Sequence, residues 1–283
     1  MSITIHTYSI DINLLKLNNL LYYLVVSFII LALSSLQTPI ILGIKDYLLS
    51  FWLQTAAFVT GRSSPINSGI PIKIYFFKKY LNISVIKTTT VILYEILIRS
   101  IVLLVLMLLF GGLQYLVIIK NNIYFIFPIF VIIISIIIFL FQYKSGGLIE
   151  KIKTKIFSSI NELKGITNNW NTAIKITAIQ IVLQLMSILR VMFIINSLSV
   201  ESLTLLQISR VVLSTSFLSM ISMIPGGYGI REISIIYLLQ LEGLDYANSI
   251  FISLADRTLE TGIAMIFGIF SSIYFVNFHK KPV

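Results

Sequence analysis

Runs of about twenty consecutive apolar residues constrain this chain most, because a helix rising about 1.5 Å per residue needs that many to cross about 30 Å of hydrocarbon. Four stand out: Leu17 to Leu36, Thr88 to Phe110, Ile123 to Phe141 and Ile174 to Ile195. A fifth, Ser249 to Phe278, is interrupted by charge. Hydrophobic residues make up 57% of the sequence, charged residues only 11%, and mean hydropathy is +0.97, whereas a soluble domain has roughly half and a quarter. The expected class is all-α: a polytopic membrane helix bundle forming one integral domain over residues 1–283. The opening MSITIHTYSIDINLLKLNN lacks the basic start and small-residue cleavage site of a signal peptide, so the run that follows is read as a mature span. There is no Cys, and His6 and His279 lie at opposite ends. No thiolate or histidine metal site, cysteine nucleophile or cofactor is therefore expected.

Two further apolar regions are broken: Tyr47 to Tyr80 around GRSSPINSGIP, and Leu203 to Leu241 around IPGGYG. Each arm is short for a full crossing, so each region is read either as a re-entrant pair of half-helices or as a pair of complete spans. Charge arbitrates. Lys144, Lys151, Lys153, Lys155 and Lys164 crowd one loop, Lys73, Lys78, Lys79 and Lys87 surround the first break, and Lys280 and Lys281 close the chain, which places these segments in the cytoplasm. The topology closes if both broken elements are re-entrant, from opposite sides, with the N-terminus outside. Sliding the sequence on itself by about 160 residues then brings Pro65 and Gly69 near Pro225 and Gly229, and Glu95 near Asp256, the pattern of inverted-repeat transporters. Repeat 1 spans about 14–141, a basic cytoplasmic linker 142–171, and repeat 2 about 172–278.

A half-helix that starts inside a membrane presents unpaired N–H groups and the positive end of its dipole, which suits an anion. Around the second break, Gly226, Gly227 and Gly229 allow close backbone approach, and Arg231 adds a planar fork for phosphate. The first break offers Arg62, Gly69 and Lys73, with serine hydroxyls nearby. The alternative makes IPGGYG an interfacial loop with Arg231 snorkelling to water. Ionisable residues within the apolar runs cost a few kcal/mol each and face a cavity or one another. They are Glu95 and Arg99, four apart, and Asp256, Arg257 and Glu260, with Gln180, Gln184 and Arg190 on another span. Glu232 is expected to pair with a cation on another helix. Arg257 is expected to be the cation that holds Asp256 and Glu260, leaving Arg231 for a ligand. The alternative is that these charges only fix helix packing.

The order of these elements, RSSPINSGIPIKIYFFKKYLNIS, then VILYEILIRSIVLLVL, then IPGGYGIREISIIYLLQLEGLDYANSIFISLADRTLETGIAMIFGI, resembles the lysylphosphatidylglycerol synthase transmembrane-region family over roughly Phe51 to Phe275. That family includes the flippase domain of bacterial multiple peptide resistance factors and stand-alone flippase-like proteins. Its most specific match is Pro225, Gly226, Gly227, Gly229, Arg231 and Glu232, followed by the intramembrane Arg257. The first motif departs from the family: where a proline, a glycine and then an arginine are common, this chain has Pro65, Gly69 and Lys73. The resemblance implies binding and translocation of a phosphate-bearing lipid, a phospholipid or a polyprenyl-phosphate-linked glycan, in a prokaryotic cell membrane. Its partners would be membrane lipids and cell-envelope biosynthesis proteins, not nucleic acid. It does not imply synthase activity, which belongs to a soluble domain. A membrane glycosyltransferase and a non-transporting scaffold for polysaccharide assembly are the alternatives.

Overall fold

The computed structural model describes residues 17–63, 69–112, 114, 169–197, 203–221 and 229–278, and these form helices without strands. The helices are α1 (Leu17–Leu42), α2 (Tyr47–Ser63), α3 (Gly69–Leu81), α4 (Val85–Leu109), α5 (Trp170–Ser197), α6 (Leu205–Ile221), α7 (Ile230–Leu241) and α8 (Tyr246–Phe278). Four of them, α1, α4, α5 and α8, are long and apolar enough to cross a membrane. The expected run Ile123 to Phe141 and most of the basic linker lie outside the described residues, as do Pro65, Pro225, Gly226 and Gly227, the side chain of Arg62 and both termini.

Local chemistry sets the helix starts. Asp46 Oδ1 accepts from the Leu49 N–H at 3.0 Å, Ser84 Oγ from Lys87 at 3.2 Å and Asp245 Oδ2 from Ala247 at 3.0 Å. Thr204 Oγ1 accepts from the Gln207 N–H at 3.3 Å while Gln207 Oε1 accepts from the Thr204 N–H at 2.9 Å, a reciprocal cap. Between α3 and α4 the chain reverses through Asn82 at φ 52°, a left-handed conformation that Asn tolerates better than most residues. Two sequence expectations are corrected here. The first span runs on to Leu42 through Pro39, and the charged stretch of the last span does not interrupt it: Tyr246 to Phe278 is one helix. Its ionisable side chains Asp256, Arg257 and Glu260 are tolerated there because each meets an opposite charge.

Tertiary packing pairs the long helices α1 and α5 most extensively. They run antiparallel: the Tyr22 ring near the start of α1 stacks on Phe193 near the end of α5 at 5.3 Å, and Gln180 near the start of α5 donates to Gln37 near the end of α1 at 2.7 Å. Around this pair, α2 and α3 pack against each other and α2 against α8, while α6 and α7 pack against each other and α6 against α4. The larger core gathers Leu103 and Met107 of α4, Ile195 of α5, Leu213 of α6 and Leu238 and Leu239 of α7. A smaller core joins Leu53 of α2 and Phe77 of α3 to Tyr274 and Phe275 of α8. The outward faces are as apolar as the inward ones. Leu93, Leu97, Ile101, Leu104 and Leu108 form an exposed stripe on α4 at helical spacing, the arrangement of a surface solvated by lipid.

Candidate functional site

Two clusters of charge are buried between the helices, one in each half of the chain. In the first, Glu95 of α4 is reached from two other helices: Lys73 Nζ of α3 lies 3.1 Å from Oε2, and Thr38 Oγ1 of α1 donates to Oε1 at 2.5 Å. Pro39 explains why α1 carries polar groups here. Lacking an N–H, it leaves the Ser35 carbonyl, four residues back, without its helical donor. Gln54 Nε2 of α2 fills that vacancy at 3.0 Å and also donates to Thr38 Oγ1 at 3.0 Å. The Gln54 amide thus repairs the backbone and supports the threonine that holds Glu95.

In the second cluster, Asp256 and Glu260 stand one turn apart on α8, so their carboxylates share a face. Arg231 of α7 spans both, with Nη2 2.7 Å from Asp256 Oδ2 and Nη1 2.5 Å from Glu260 Oε2. Arg190 of α5 closes the other side, with Nη1 3.4 Å from Glu260 Oε1 and Nε 3.2 Å from Asp256 Oδ1. That Nε contact is close enough for charge pairing but is not aligned as a hydrogen bond. The Tyr23 hydroxyl of α1 donates to Asp256 Oδ1 at 3.1 Å, and its ring lies under the Arg190 guanidinium at 5.8 Å. Two cations and two carboxylates balance. Asp256 is 1% exposed and Arg190 6%, and such burial is tolerable only because the charges are mutually paired.

A third contact lies beside it. Arg257 Nε is 3.3 Å from Glu232 Oε1. Gly229 precedes α7 at φ 80°, a conformation that favours glycine, and its N–H donates to Glu232 Oε2 at 2.8 Å. Glu232 therefore both caps its own helix and meets a cation on another. At the turn after α7, Arg210 Nη2 lies 3.0 Å from Glu242 Oε2, and burial raises the Glu242 carboxyl above its ordinary value. Among the described residues no three acidic or histidine side chains converge as metal ligands would.

A family model described as the lysylphosphatidylglycerol synthase TM region matches residues 11–268. The chain belongs to that family. No curated protein and no solved structure matches it.

In this member of the lysylphosphatidylglycerol synthase transmembrane-region family, Glu232 meets a cation on another helix, as expected, whereas Asp256 and Glu260 have other partners than the expected one. The sequence spacing assigned Asp256 and Glu260 to Arg257. They belong instead to Arg231 and Arg190, because Arg257, next in sequence to Asp256, points about 100° away around the helix, toward α7. Arg231 is accordingly not a bare cation awaiting an anion, and neither is Lys73: each is already committed to carboxylates. Glu95 is held across helices by Lys73 and Thr38, while Arg99, one turn on, occupies an exposed position. Gly69 opens α3 and Gly229 precedes α7, so both expected break glycines sit at helix starts. Sequence reasoning missed Tyr23, Thr38 and Gln54. The one signal for Thr38 and Gln54 was Pro39 inside an apolar run, which demands a replacement donor from elsewhere; Tyr23 carried none.

Proposed function

We propose that this protein binds the phosphate-bearing head group of a membrane lipid and carries it between leaflets of a prokaryotic cell membrane, moving its ligand chemically unchanged. The observation that carries the reading is the second cluster. A guanidinium fork already spans two carboxylates beside a helix start, and a phosphate diester, with the same charge and a similar acceptor geometry, can take the place of a carboxylate at that fork. Phospholipids and polyprenyl-phosphate-linked glycans share this group.

The same reading takes α1 to α4 and α5 to α8 as inverted repeats. Long, short, short and long helices occur in that order in each half. Each packing described for one half has its counterpart in the other, and the leading helices α1 and α5 run antiparallel. At about 1.5 Å per residue, α2 and α6 reach about 25 Å and α3 and α7 less. That is short of about 30 Å of hydrocarbon and supports two re-entrant elements entering from opposite sides. The test is purified protein in vesicles containing a fluorescent phospholipid or polyprenyl phosphate, with the label in the outer leaflet quenched by reduction. Wild type should expose more than the outer-leaflet half of the label, and Arg231→Gln with Glu260→Gln, which keeps Arg190 and Asp256 as a balanced pair, should not. Equal scrambling by a folded double variant would remove the site from the reading.

A further inference from the structure

The two charge clusters occupy equivalent positions in the two halves. Glu95 is the eleventh residue of α4 and Asp256 the eleventh of α8. Each carboxylate is met by a cation from the short helix before it, Lys73 on α3 and Arg231 on α7. Each is also met from a leading helix near its C-terminal end, by Thr38, the twenty-second residue of α1, and by Arg190, the twenty-first of α5. One architecture is built twice, with different side chains.

Because α1 and α5 are antiparallel, the copies lie at opposite ends of the bundle. Helix α1 measures the separation, since it touches both. Its Tyr23 hydroxyl reaches Asp256 and its Thr38 hydroxyl reaches Glu95, and fifteen residues at about 1.5 Å each put the contacts about 22 Å apart along the helix. In a bilayer of about 30 Å, one cluster lies toward each leaflet. Glu95 and Asp256 therefore each have a cation and a neutral hydroxyl donor from α1, while Glu260 also has Arg190. When a ligand phosphate takes Lys73 or Arg231, the Glu95 or Asp256 carboxylate keeps that hydroxyl as a donor. Along this stretch α1 and α5 carry buried polar groups, Ser27 and Ser35 on one and Gln184 and Gln180 on the other. Ser27 Oγ is buried with no hydrogen-bond partner.

We infer that the Lys73–Glu95 and Arg231–Asp256–Glu260 clusters are two repeat-equivalent gates of one head-group route, opening toward opposite leaflets by exchanging a carboxylate for the ligand's phosphate. This rests on the lipid-carrier reading and adds where the ligand stops on either side.

The absence of cysteine makes the test direct. Ser35→Cys reports beside the first cluster and Ser27→Cys beside the second, each probed with a membrane-impermeant maleimide in right-side-out and inverted vesicles. Charge-balanced variants open one gate at a time: Lys73→Met with Glu95→Gln for the first, Arg231→Gln with Asp256→Asn for the second. The first should speed labelling of Ser35→Cys from one face, and the second that of Ser27→Cys from the opposite face, each by about tenfold as for a coupled two-state element. Thr38→Val and Tyr23→Phe, which remove only a hydroxyl, should shift labelling in the same directions by less and cover the case in which a double variant does not fold. Labelling of both cysteines from the same face, or no change in folded variants, would overturn the gates. Lipid scrambling in the same vesicles separates the two readings. Opposite-face labelling without scrambling keeps the gates and removes the lipid, whereas scrambling with same-face labelling does the reverse.

Discussion

Replacing Arg190 by Met tests whether the second cluster is held by charge balance. Arg190, Arg231, Asp256 and Glu260 sum to zero, and Arg190→Met leaves two buried carboxylates to one guanidinium. Removing one partner of a buried pair costs about 3–5 kcal/mol. Here the loss should fall near the lower end, because the contacts removed are the longer ones, 3.2 and 3.4 Å, while Arg231 stays at 2.7 and 2.5 Å from the two carboxylates and the Tyr23 hydroxyl stays on Asp256. At roughly 2–4 °C per kcal/mol for a chain of this order, the midpoint of thermal unfolding in detergent, followed by fluorescence-detected gel filtration, should drop by roughly 6–12 °C. Asp256→Asn alone leaves an excess cation and should fall comparably. Combining the two leaves Arg231 with Glu260, a neutral pair. The double variant should therefore be more stable than the sum of the singles predicts, by about 2 kcal/mol. If Arg190→Met melts within about 2 °C of wild type, or if the two losses add, the four groups are not one balanced network.

Arg257→Met should cost distinctly less than Arg190→Met in the same assay, because Glu232 is partly exposed, its side chain at 19%, and keeps the Gly229 N–H. Gln54→Leu removes the replacement donor for the Ser35 carbonyl and a donor to Thr38. An unsatisfied buried acceptor should cost about 1–3 kcal/mol, read as a lower melting midpoint, and a midpoint equal to wild type would refute the Pro39 argument. Within α8, Gly268→Ala should destabilise, since an added Cβ would lie 2.7 Å from both γ carbons of the stiff Val59 on α2, whereas Gly262→Ala, with nothing within 4 Å, should be neutral or stabilising by up to about 1 kcal/mol. Equal effects at the two glycines would show that the α2–α8 contact is not a close one.

Membrane residence and the four described spans were legible in the sequence, because each is a property of one continuous stretch: about twenty apolar residues make a crossing. The residues of the charge clusters were legible as a set, since ionisable side chains in apolar runs must meet partners. The partners themselves were not. Spacing along α8 joined Arg257 to Glu260, three residues apart, but helix rotation and the neighbours α5 and α7 decided the pairing, turning Arg257 to Glu232 and giving Asp256 and Glu260 to Arg190 and Arg231. Glu95 found Lys73 and Thr38 on two other helices. Those choices need the position of each helix in three dimensions, because an ion pair at depth is governed by distances of about 3 Å between side chains that lie anywhere from 22 residues apart, Lys73 to Glu95, to 70, Arg190 to Glu260.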